Sequence, residues 1–168
     1  MQISESIALA THISEGDQLV IREPVVVDAS DSLNQLAEQA VQNPGCRVIA
    51  VVDEGERVVG LVPVYVLLND IFLRITPEEF LADITDHGAV LRYAAHLGAR
   101  TARDVMLEPV TVRADETVRD AFERMHGSKL DGLPITDAVG RVTGYVDQLG
   151  LLLVWVRATA PRTPARAR

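Results

Sequence analysis

The chain has one cysteine, few aromatic side chains and no long apolar run. Cys46 cannot close an internal disulfide alone, and no charged-then-apolar leader opens the sequence, so a reducing, cytoplasmic setting is expected. Only 4% of the 168 residues are aromatic against 48% hydrophobic, so a core has to be built from Val, Leu, Ile and Ala. The longest unbroken apolar stretch, Leu151 to Val156, falls far short of the roughly 20 residues of a membrane span and predicts a soluble chain without one. Basic charge is scarce too. Four of the sixteen basic side chains, Arg157, Arg162, Arg166 and Arg168, lie in the last twelve residues, which hold no acid; the remainder sets twelve basic groups against twenty-four acidic ones, a balance of −12. Such a body repels phosphate backbones, so nucleic acid is not the expected partner.

The patterns that carry catalysis are also missing. There is no Gly-rich phosphate loop, nucleophile elbow or zinc motif. His12, His87, His96 and His126 occur in separate segments, none with a partner at metal-ligand spacing. Asp83, Asp86 and His87 crowd together as a solvated helix end does. Cys46 follows Pro44-Gly45 and precedes an apolar stretch, the setting of an inert core residue. No enzyme is expected, and neither a catalytic residue nor a metal ligand is assigned.

What the sequence does contain is a repeat. Pro24-Val25-Val26-Val27 matches Pro109-Val110-Thr111-Val112 at an offset of 85, and each predicts a short strand. Ser32 with Gln35 forms a capping box ahead of Leu33, Leu36, Ala37 and Ala40, and Asn43-Pro44-Gly45 ends that helix. Thr117 caps the counterpart, whose apolar positions Val118, Ala121, Phe122 and Met125 lie on one face; Gly127 is its expected end. Val48–Val52 and Val58–Val62 predict two strands around the turn 53–57. Leu133–Thr136 and Val142–Val146 do the same around 137–140. Asp53, Arg57, Gly60 and Val62 match Asp137, Arg141, Gly144 and Val146 at an offset of 84, one residue having been gained or lost between helix and strand. A helix follows each second strand, from Val64 in one copy and near Asp147 in the other. Thr101 with Asp104 opens a short helix before the second copy.

The string Asp104-Val105-Met106, Gly132-Leu133-Pro134-Ile135, Asp137, Gly140-Arg141 and Gly144 resembles the cystathionine β-synthase (CBS) domain. The resemblance implies an α/β fold: two β-α-β-β-α repeats packed sheet to sheet as a pseudo-twofold pair, in a stand-alone regulatory protein of bacterial type. A unit of about 50 residues buries too little surface to be secure alone, which favours the pairing. The expected divisions are an N-terminal arm (1–19), repeat 1 (20–72), a helical insert (73–100), repeat 2 (101–157) and a disordered basic tail (158–168). The insert's helix start is Thr76-Pro77-Glu78-Glu79, with a second helix over Ala89–Leu97.

The resemblance also implies a cleft at the junction of the repeats. Family members hold adenosine ligands there through Gly-h-x-Thr/Ser-x-x-Asp, where the hydroxyl and free helix N–H groups take phosphate and the Asp takes the ribose diol. On that basis the ligand-binding positions are Val26, Val48, Ile49, Gly60 and Pro63 in copy one, and Thr111, Gly132, Leu133, Pro134, Gly144, Tyr145 and Asp147 in copy two. Both copies depart from the signature. Pro63 and Val66 replace the Thr/Ser and Asp in the first; Asp147 and Gly150 replace them in the second. Asp147 is expected to cap its helix and to repel phosphate. An adenosyl ligand without phosphate, S-adenosylmethionine or adenosine, is therefore favoured over AMP or ATP. The alternative is a ligand-free dimerisation module with vestigial clefts. A homodimer is expected because the last helix is apolar almost all round, and a transporter, channel or metabolic enzyme is the partner by family analogy.

Overall fold

The computed structural model describes residues 9–15, 21–75 and 100–159. A 3₁₀ turn (Ile13–Glu15) precedes β1 (Ile21–Arg22). The first unit then runs β2 (Val26–Asp28), α1 (Leu33–Gln42), β3 (Val48–Val52), β4 (Val58–Pro63) and α2 (Val64–Ile75). A short helix α3 (Ala102–Val105) leads into the second: β5 (Val112–Arg113), α4 (Val118–Ser128), β6 (Gly132–Thr136), β7 (Val142–Asp147) and α5 (Gln148–Thr159). The expected α/β pair of β-α-β-β-α units is the fold observed. The greater part of the insert, the tail beyond Thr159, His87, His96, Asp83 and Asp86 lie outside the described residues.

Local chemistry places the helices. At α1 the Gln35 side chain accepts the Ser32 N–H at 2.8 Å while the Ser32 hydroxyl accepts the Gln35 N–H. At α4 Asp120 and Thr117 make the same exchange. Each such cap is worth about 1 kcal/mol. The expected end at Gly127 is corrected: α4 continues through Ser128, and Lys129 turns the chain with φ 57°. The Leu130 N–H reaches back to the Met125 carbonyl at 3.0 Å and its side chain is buried, so the core fixes the stop where no glycine stands. The first strands are also displaced along the chain from Pro24 and Pro109, which have no N–H to give a ladder.

Two sheets result. One has the order β2-β3-β4, with β2 parallel and β4 antiparallel to β3. The other has the order β1-β7-β6-β5, with β5 parallel and β7 antiparallel to β6. The ladder shifts register between Val51 and Val52 in one and between Ile135 and Thr136 in the other, the same place in both copies. Buried Val48, Ile49, Val51, Leu133, Ile135 and Tyr145 fill the core. Arg57 and Arg141, equivalent residues of the two hairpins, pair with each other, which marks the pseudo-twofold axis.

Each unit takes an arm from in front of the other. The Ile13 N–H bonds to the Glu116 carbonyl at 2.9 Å, Ser14 to Ala114 at 2.8 Å, and Val118 to Thr11 at 2.9 Å. The same three bonds recur as Ala102 to Asp31 at 2.8 Å, Arg103 to Ala29 at 3.0 Å and Leu33 to Arg100 at 3.2 Å. Beyond these, β1 adds to β7, and Leu107 exchanges two hydrogen bonds with Leu61 of β4. The lobes are thus interlocked.

Candidate functional site

The exchange of arms carries Arg22 of β1 to the start of α5. There Asp147 is the N-cap: one carboxylate oxygen accepts the Gly150 N–H at 2.7 Å and the other stands 3.1 Å from Arg22 Nε. The N–H vector of Arg22 is not aligned for a hydrogen bond, so this contact is an ion pair. Asp147 is only 7% exposed, a burial that a carboxylate tolerates when cap and counter-charge are both present. The Gln148 N–H is taken by the Asp131 carbonyl at 3.1 Å. Two of the first three N–H groups of α5 are therefore engaged internally, which leaves fewer of them to meet a phosphate.

A cleft of ≈ 390 Å³ opens at this point, between the loop Pro44–Arg47 of the first unit and Asp131, Asp147, Gln148 and Leu149 of the second, with Arg22 over it. An adjoining groove of ≈ 650 Å³ shares Arg22, Pro44 and Gly45 and extends past Ile21 and Asn43. The expected repulsion from Asp147 is offset by Arg22, and Arg47 adds a second guanidinium. In the first copy Pro63 stands where Asp147 does in the second; it ends β4 opposite Val48, and the Val64 N–H is taken by the Arg47 carbonyl at 2.9 Å.

Of the twelve positions named from the sequence, Asp147 alone lines this cleft. Tyr145 lies behind it, fully buried, with its hydroxyl accepting the Arg47 N–H at 3.2 Å; burial pushes the phenol far above its ordinary pKa. Gly132 makes room for that phenol, since a Cβ there would overlap the Tyr145 hydroxyl. Gly60 lies under Met106 and Gly144 under Ile21, so both glycines admit the exchanged arms. Val48, Ile49, Leu133 and Pro134 are buried in β3 and β6, and Val26 pairs with Ala50. Thr111 lines a separate hollow with Arg113, Glu116 and Arg124, where its carbonyl accepts from Arg124 at 2.8 Å and Arg124 forks onto Glu116. Arg22, Arg47 and Asp131 were not singled out from the sequence. Aligning the copies does flag the last two: they are equivalent positions, each directly before an apolar strand, and they carry opposite charges.

The other reactive side chains have structural settings. Cys46 is buried, its sulfur 3.2 Å from the Val48 carbonyl, and burial pushes the thiol up. His12 Nδ1 lies 2.7 Å from the Asp115 carbonyl, and His126 stacks on Phe122. Among the described residues no three His, Cys, Asp or Glu gather as metal ligands, and no helix is long and apolar enough to cross a membrane.

Two equivalent α/β units that trade arms and enclose a cleft define a tandem-repeat module. The CBS domain model matches residues 16–71 and 102–155, and the chain belongs to that family as a tandem CBS pair, a family of non-catalytic modules. A CBS domain-containing protein of Thermotoga maritima superposes with a TM-score of 0.70 at 18% identity, covering 92% of this chain and 99% of that one. CBSX2 of Arabidopsis thaliana gives 0.61 at 20%, covering 88% and 96%; a crystal structure of CBSX2 is in complex with AMP. The CBS domain pair of MJ0100, crystallised with 5′-methylthioadenosine and S-adenosyl-L-methionine, gives 0.61 at 17%, covering 87% and 96%. At these identities the likeness is one of fold. No curated protein sequence matches the chain.

Proposed function

We propose that this CBS pair is a regulatory module that takes an adenosyl ligand without phosphate into the cleft beneath Arg22 and passes its occupancy to a partner protein. One observation carries the reading: Asp147 and the Asp131 carbonyl already occupy two of the first three N–H groups of α5. A phosphate would have to displace a buried, ion-paired carboxylate, whereas a nucleoside would not. The complexes of CBSX2 with AMP and of MJ0100 with S-adenosylmethionine support an adenosyl ligand in general. The burial of Gly60 and Gly144 under the arms favours a second reading, a pairing module with no ligand.

A thermal-shift titration separates the two. S-adenosylmethionine and adenosine are expected to raise the melting temperature, by an amount equivalent to about 2.7 kcal/mol at a hundred times Kd, while AMP and ATP do not. No shift with any of the four supports the ligand-free reading. A shift with ATP alone contradicts the proposal.

A further inference from the structure

Positions 47 and 131 are related by the internal repeat, and their backbones do the same work. The Arg47 carbonyl accepts the first N–H of α2 at 2.9 Å and the Asp131 carbonyl that of α5 at 3.1 Å. Their side chains have opposite charge. Both are exposed, both line the interlobe cleft, and neither has an ion-pair partner among the described residues. The other charges lining that cleft, Arg22 and Asp147, neutralise each other at 3.1 Å. A ligand entering it meets one uncommitted guanidinium and one uncommitted carboxylate, and the described residues of its lining carry no net charge. A phosphate ester brings only negative charge, while an amino-acid zwitterion brings one charge of each sign.

We propose that the cleft recognises the zwitterionic α-amino-carboxylate end of its ligand, with the carboxylate on Arg47 and the ammonium on Asp131. The inference rests on the adenosyl reading above and specifies which adenosyl compounds qualify. Guanidinium and carboxylate side chains each form charge-assisted hydrogen bonds with such a group, and the planar fork of arginine matches a carboxylate.

The test is isothermal titration of the full chain with S-adenosylhomocysteine and with 5′-methylthioadenosine. Both lack the sulfonium charge, and only the first carries the amino-acid end. S-adenosylhomocysteine is expected to bind at least about tenfold more tightly. Arg47→Gln and Asp131→Asn should each remove most of that advantage while leaving 5′-methylthioadenosine within about twofold, because both side chains are exposed and the backbone bonds of both residues remain. Equal binding of the two compounds to the wild-type chain overturns the zwitterion proposal and leaves the adenosyl reading standing. Binding of neither overturns both. If a variant fails to fold, the wild-type ratio still decides.

Discussion

A Cβ built at Gly60 would stand 2.5 Å from the sulfur of Met106 and 2.8 Å from its Cγ; one at Gly144 would stand 2.8 Å from Ile21 Cγ2. Overpacking of this kind costs about 1–3 kcal/mol, so Gly60→Ala should lower stability by that amount in urea denaturation. Met106→Ala combined with it should cost at least about 1 kcal/mol less than the sum of the single changes, since the contacts with the sulfur and Cγ are then gone and only that with the residue 106 Cβ, at 2.9 Å, remains. Additive costs would mean that the arm does not lie on β4. The repeat pattern singled these glycines out, but their role was not legible, because the residue that needs the space belongs to the other unit's arm. Tyr145 is a similar case. Its sequence neighbours do not reveal that its hydroxyl meets Arg47 across the lobes. The buried phenol and the buried Cys46 thiol both hold their protons more tightly in the folded chain, with raised pKa values. Above about pH 10 for tyrosine, and somewhat lower for cysteine, the unfolded chain releases protons that the folded chain keeps. Stability is therefore full at neutral pH and falls as pH rises through that range. Denaturation midpoints at neutral and strongly alkaline pH should show the loss, with a shallower fall in Tyr145→Phe.

The elements differ in how far local chemistry fixes them. Starts of helices were legible where a hydroxyl and an acceptor three residues on sit together, as at Ser32 with Gln35 and at Thr117 with Asp120. These bonds involve only neighbours in the chain. The end of α4 was not legible, because it depends on burial of Leu130 against the core, with Lys129 held at φ 57° to allow it. A side chain in that region is strained, so Lys129→Gly should stabilise the protein by about 0.5–1 kcal/mol. A loss of stability in thermal or urea melts would mean that the Lys129 side chain contributes more than its backbone costs. The cleft falls between these cases. Asp147 was legible as a cap, whereas its counter-ion comes from β1, a two-residue strand with no periodic signal.

On the scale of the whole molecule, the repeat imposes symmetry that extends to the surface. Tyr65 and Leu68 of α2 and their equivalents Leu149 and Leu152 of α5 are exposed, as are Trp155 and Val156. Matching apolar positions on both lobes suit a self-complementary, twofold contact between copies. Light scattering at micromolar concentration should give about twice the 18.3 kDa chain mass, and Leu149→Glu with Leu152→Glu should return it to a monomer. A monomeric wild type contradicts this assembly. In the proposed function, the cleft excludes phosphate because Asp147 caps α5 and engages Arg22. Asp147→Thr keeps an oxygen for the cap and removes the charge, leaving Arg22 and Arg47 free for an anion. The direct measurement is a calorimetric titration of AMP into the wild type and into this variant. No measurable heat is expected with the wild type, and a gain of at least about tenfold in affinity with the variant, the effect of one recovered charge-assisted contact. Tight binding of AMP by the wild type, unchanged in Asp147→Thr, would contradict the exclusion of phosphate.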